Sequence, residues 1–140
     1  MNRRTPQMKK VKQLLQNGFT LIEVLIVVVI IGILVAIAVP TYAKYVQKGY
    51  ASDAKVSIKA ILNASSVYFQ STGEIASDID ILENEGYLEL DPAIKTKWQF
   101  EISETEIVAT SLAEMGGGEG KIITYYVEYG TFEGYGQKVE

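Results

Sequence analysis

The residue with the clearest chemical demand is Glu23, the single charge in a 21-residue run, Phe19 to Val39, that is otherwise apolar. A carboxylate costs on the order of 2–3 kcal/mol at the middle of a membrane helix and less near an end. It therefore needs a partner, or must snorkel to headgroups or stay protonated. Catalytic alternatives are few, because the chain has no Cys and no His. That excludes thiolate nucleophiles, disulfides, Cys/His zinc sites and imidazole bases. Gly116-Gly117-Gly118-Glu119-Gly120-Lys121 invites comparison with a phosphate-binding loop, yet the first position needing Gly holds Met115 and Lys121 is followed by Ile122. A flexible connection between strands is the better reading. Asp78, Asp80, Glu83, Glu85, Glu89 and Asp91 offer oxygens of the kind Ca²⁺ takes, but not at EF-hand spacing, and a solvated acidic face accounts for them. No metal or cofactor is expected.

The elements that must position Glu23 follow from hydropathy. As a helix the run from Phe19 to Val39 spans roughly 30 Å, the thickness of a bilayer's hydrocarbon. Five of the 13 basic residues (Arg3, Arg4, Lys9, Lys10 and Lys12) precede it with no acid among them, leaving eight Lys against all 17 acids. The positive-inside bias puts Met1 in the cytoplasm and the acidic body outside, with Tyr42 and Tyr45 at the interface. An acidic body without a basic stripe is a poor nucleic-acid binder. The run exceeds the usual core of a secretory signal, and Pro40-Thr41-Tyr42 is no small-x-small cleavage site. On hydropathy alone a plain signal anchor fits as well.

The border residues carry more information. Asn17-Gly18-Phe19-Thr20-Leu21-Ile22-Glu23, between a basic leader and an apolar run that ends at Pro40, resembles the signal of prepilins in the type IV pilin-like superfamily. The resemblance covers Lys9 to about Tyr45. It implies that a prepilin peptidase cuts between Gly18 and Phe19 and that the new Phe19 amine is N-methylated. Residues four apart on a helix share a face, so Glu23 would meet that amine on its own chain or a neighbour. In the family the second pairing guides incoming subunits into register. Pro40 lacks an amide hydrogen and clashes with the carbonyl of Ala36, and Gly32 lowers helix propensity by about 1 kcal/mol against Ala. Gly32 to Pro40 is therefore the weakest stretch of the helix, and in related filaments the corresponding segment melts on packing.

Beyond Pro40, Ala54, Ile58, Ile61, Leu62, Ser65 and Phe69 recur at helical spacing among charged residues, so the helix should run on to about Ser71, roughly 80 Å from Phe19. Gly73 is its expected C-cap, and Ser77-Asp78-Ile79-Asp80 resembles a capping box opening a short helix closed by Gly86. Residues 97–102, 106–112, 121–129 and 131–135 read as strands of an antiparallel sheet. The expected class is α+β, a pilin fold: leader 1–18, membrane half of the helix 19–39, amphipathic half 40–72, and a head over 73–140. Asn63-Ala64-Ser65 matches the glycosylation triplet but falls in the predicted helix. Phe19, Tyr42, Tyr45, Tyr50, Tyr68 and Phe69 line the helix, and packing explains them without electron conduction.

The resemblance implies a structural subunit, not an enzyme, that polymerises with itself into an extracellular type IV pilus for adhesion, motility or DNA uptake. Its implied partners are the prepilin peptidase, an inner-membrane platform protein with its assembly ATPase, and the membrane that stores the precursor. The alternative within the superfamily is the major pseudopilin of a type II secretion system, with a periplasmic filament. Lack of a Cys pair leans that way, whereas Ser71-Thr72-Gly73-Glu74-Ile75 lacks the Tyr-Pro pair common in major pseudopilins. Outside that class, a monomeric membrane-anchored binding module would keep the head and have no use for Glu23 between subunits.

Overall fold

The computed structural model describes residues 18–137, so the leader expected over residues 1–18 lies outside the described residues except for Gly18. The apolar run and the amphipathic run form one helical element, α1 (Leu21–Thr72). The chain divides into two compact units, one up to Pro40 and one from Thr41 onward.

In the first unit α1 is apolar on every side. Its best 18-residue window has a mean hydropathy of 3.3, and none of that window is buried. The large side chains from Val24 to Val39 stay 50% to 66% exposed. A soluble helix hides an apolar face against its own core; this one has no such cover. Backbone helicity continues through Gly32 and Pro40 without a break.

In the second unit α1 becomes one-sided and buries Ala51, Ala54, Ser57, Ile58, Ile61, Ala64 and Tyr68. The sequence pattern had pointed to Phe69. Phe69 is 51% exposed, and its neighbour Tyr68, at 7%, takes the core position and meets Tyr87 edge-on at 5.5 Å between ring centroids. A step of seven from Ile61 returns to within about 20° of the same face, whereas a step of eight overshoots by about 80°. The helix ends where Gly73, at φ 75°, donates its amide to the Phe69 carbonyl at 2.8 Å. Only glycine enters that left-handed region without cost.

Two short helices follow. α2 (Ile79–Asn84) starts from Asp78, not Ser77: the Asp78 carboxylate accepts the Asp80 amide at 3.0 Å. α3 (Pro92–Lys95), absent from the sequence expectation, starts from Asp91, whose carboxylate accepts the Ala93 amide at 2.8 Å, with Pro92 opening the first turn. The Asp-Pro pair was the legible signal for it.

The sheet is antiparallel, as expected, and a simple meander: β1 (Trp98–Ile102), β2 (Glu106–Ser111), β3 (Ile122–Tyr126) and β4 (Thr131–Gly134), in spatial order β1-β2-β3-β4. Register places Phe100 opposite Ala109 and Ala109 opposite Ile123, a row of buried side chains across three strands. Their alternation with exposed residues follows from the two-residue period of a strand. This face joins Ala54, Ile58 and Ile61 of α1 and Leu82 of α2 in one core. At its edge Lys59 donates to the Tyr125 hydroxyl at 2.9 Å while its Nζ lies 4.0 Å from the centre of that ring.

Candidate functional site

Gly18, Phe19 and Thr20 lead into α1 in non-helical conformation, all exposed, with Phe19 at 89%. A Cβ built on Gly18 would meet no described atom within 4 Å. The folded described chain therefore has no steric need for glycine there.

Glu23 does have a partner in its own chain. The Thr20 amide donates to Glu23 Oε2 at 2.7 Å, and the Glu23 amide donates to Thr20 Oγ1 at 3.3 Å. The Thr20 carbonyl accepts the Val24 amide at 3.3 Å, which makes Thr20 the residue that caps α1. This is a reciprocal capping box: two of the amides that a helix start leaves without partners are satisfied by side chains three residues apart. The carboxylate also sits at the positive end of the helix dipole. Sequence reasoning missed the arrangement, although Thr20-Leu21-Ile22-Glu23 before an apolar run carries its signature. Gly32 and Pro40 lie inside α1 beyond it, and an added Cβ at Gly32 would meet nothing within 4 Å.

The head's other motifs find structural roles. In the glycine loop three amides are already engaged: Gly117 on Met115 Sδ at 2.9 Å, Gly118 on the Met115 carbonyl at 3.0 Å, and Gly120 on the Ser111 carbonyl at 2.9 Å. Ser111, 1% exposed, donates its hydroxyl to the Gly118 carbonyl and accepts the Lys121 amide, both at 2.7 Å. Amides held this way are turned toward protein, so the segment is a β2–β3 connection and not a phosphate cradle. Of the acidic residues, Asp78 and Asp91 cap helices and Glu83 pairs with Lys95. Among the described residues no three acids gather as a metal site. An open hollow of about 560 Å³ between residues 77–80 and β1 presents Asp78, Asp80, Lys95 and Glu101. Asn63 lies within α1, and Tyr68 meets Tyr87 edge-on. The carboxylate of Glu133 on β4 foremost, then burial and Glu106 on β2, raises the Tyr126 phenol above its ordinary pKa. Burial, then the neighbouring Tyr50, does the same to Tyr135.

Comparison with known proteins bears on the same segment. Residues 14–39 match the family model of the prokaryotic N-terminal methylation motif. Over 53 residues the chain is 49% identical to the type IV major pilin protein PilA of Myxococcus xanthus, covering 38% of this chain and 24% of that protein. It is 41% identical over 64 residues to a fimbrial protein of Neisseria meningitidis serogroup A, covering 46% of this chain and 38% of that one. With the type IV major pilin protein PilE1 of Neisseria gonorrhoeae it shares 40% over 60 residues, 43% of this chain and 36% of the other. The chain thus matches well under half the length of these relatives.

Proposed function

We propose that this chain, a member of the type IV pilin-like superfamily through its N-terminal helix, is a structural subunit that polymerises into an extracellular type IV pilus. The observation that carries the reading is the uncovered first part of α1: an apolar helix, none of it buried, opening on Gly18-Phe19 and a methylation motif. So much exposed apolar surface requires a non-aqueous neighbour. Lipid supplies it for the stored precursor, and the same helix of other copies supplies it in a filament.

In this reading a prepilin peptidase cuts between Gly18 and Phe19, and the Phe19 amine becomes methylated. Glycine at 18 serves the peptidase, since the described fold makes no use of it. Glu23 then faces the amine of a neighbouring subunit, and Gly32 to Pro40 is the stretch that yields when helices pack. A platform protein and assembly ATPase would extract the subunit from the inner membrane. The major pseudopilin reading is less favoured, because the relatives above bear the names of type IV major pilins and fimbrial proteins.

Intact-mass analysis and shearing test the proposal together. The mature chain should begin at a methylated Phe19, sheared surface filaments should consist of it, and Gly18→Leu should accumulate uncut precursor. Glu23→Ala should be cut and inserted normally yet fail to assemble. Filaments at the normal level from Glu23→Ala would overturn the pairing of Glu23 with a subunit amine, and absence of filaments from the wild-type chain would leave the anchored monomeric module as the better account.

A further inference from the structure

We propose that Thr20 is a positioning residue for assembly, holding the Glu23 carboxylate so that one oxygen is spent on the chain's own helix start and the other is presented to a subunit amine. The proposal rests on the polymerising-subunit reading and adds to it a mechanism by which Glu23 is aimed. Glu23 Oε2 accepts the Thr20 amide at 2.7 Å, while no described residue donates to Oε1. A glutamate at a helix start has several rotamers, and in a membrane most of them let it snorkel to the headgroups. The capping box selects the one that folds the carboxylate back over the first turn, beside the peptide that joins Phe19 to Thr20.

The Thr20 hydroxyl is what closes this arrangement. By accepting the Glu23 amide at 3.3 Å it keeps Thr20 in the cap conformation, which in turn points the Thr20 amide at the carboxylate. Replacing it leaves the Glu23 amide without that acceptor and frees the carboxylate to leave. In apolar surroundings water does not substitute for the lost bonds, so the box is held more strongly than at an aqueous helix end. It also satisfies half of the carboxylate within the monomer, so a stored subunit carries Glu23 in the bilayer before any neighbour arrives.

The test uses the full chain in its own host, with filament yield normalised to processed subunit, because Thr20 lies close to the proposed cut. Thr20→Val keeps the shape without the hydroxyl and should lower the yield about fivefold, the factor corresponding to loss of one N-cap. Thr20→Ser should restore it. Far-UV circular dichroism should not change, since one cap is a small part of a 52-residue helix. In detergent micelles, amide exchange at Thr20 should speed up in Glu23→Ala, and exchange at Glu23 should speed up in Thr20→Val. Wild-type yield from Thr20→Val beside abundant wild-type filaments would overturn this proposal alone, as would unchanged exchange at both amides. Absence of filaments from the wild-type chain would overturn the subunit reading and this proposal with it.

Discussion

Replacing Ser111 by Ala removes one oxygen from a residue 1% exposed, and the structure indicates what that costs the head. The hydroxyl makes two bonds of 2.7 Å, one to the Gly118 carbonyl and one from the Lys121 amide. Each is worth about 1 kcal/mol net, and a protein group left without a partner adds more. Gly118 and Lys121 themselves reach the surface, so water can recover part of the loss. The expected destabilisation is about 2 kcal/mol, which for a head of this size lowers the thermal midpoint by roughly 8–16 °C. Thermal unfolding of the purified subunit in detergent, followed by the near-ultraviolet signal of Trp98 in the core, measures it. Ser111→Cys, which keeps a weak donor in similar volume, should fall between the two. Added inorganic phosphate should leave every midpoint where it was, because the amides of Gly117, Gly118 and Gly120 are already engaged. A midpoint for Ser111→Ala within about 1 °C of wild type would show that the glycine backbone holds the connection unaided and that the hydroxyl accounting is wrong. A rise with phosphate would reinstate the anion-binding reading.

Gly136→Ala should destabilise the head by about 2–4 kcal/mol in the same assay, because its φ is +71° and an added Cβ would lie 2.6 Å from the Ala51 Cβ and 2.9 Å from the Gln47 carbonyl oxygen. Gly49→Ala, in α1 with nothing within 4 Å, should be neutral or stabilising by up to about 1 kcal/mol. Lys59→Met keeps an aliphatic stem over the sheet but loses the bond to the buried Tyr125 hydroxyl and the cation over its ring, and should cost about 1–2 kcal/mol by denaturant titration. Raised phenol pKa values at Tyr126 and Tyr135 mean that the folded head holds those protons more tightly than the unfolded chain. The associated stability is full below the ordinary tyrosine value of 10.0 and is lost as pH rises through the raised values. Tyr135→Phe should therefore flatten the alkaline fall in stability, read as denaturant midpoints on either side of that range.

Features that depend on a local pattern were legible before any fold was known. The apolar run, the extent of α1 to within two residues at each end, Gly73 as its stop and the four strands all follow from hydrophobic period and turn chemistry. These signals lie along the chain, and the neighbours that read them are three or four residues away. The Thr20–Glu23 box and the Asp91-Pro92 helix start belong to the same class, since their signatures stand in the sequence. What tertiary structure alone decided are the choices between near-equivalents. Ile61 with Tyr68 and Leu62 with Phe69 are both seven apart, so periodicity offers two adjacent stripes, and packing against the sheet and Tyr87 decides that the first is buried. Whether the amides of Gly117, Gly118 and Gly120 face a ligand or the protein depended on Ser111, and on two strands pairing so that its hydroxyl lies beneath the loop. Gly136 is required by its approach to Gln47 and Ala51, 85 or more residues away in the chain, a contact that no local spacing encodes.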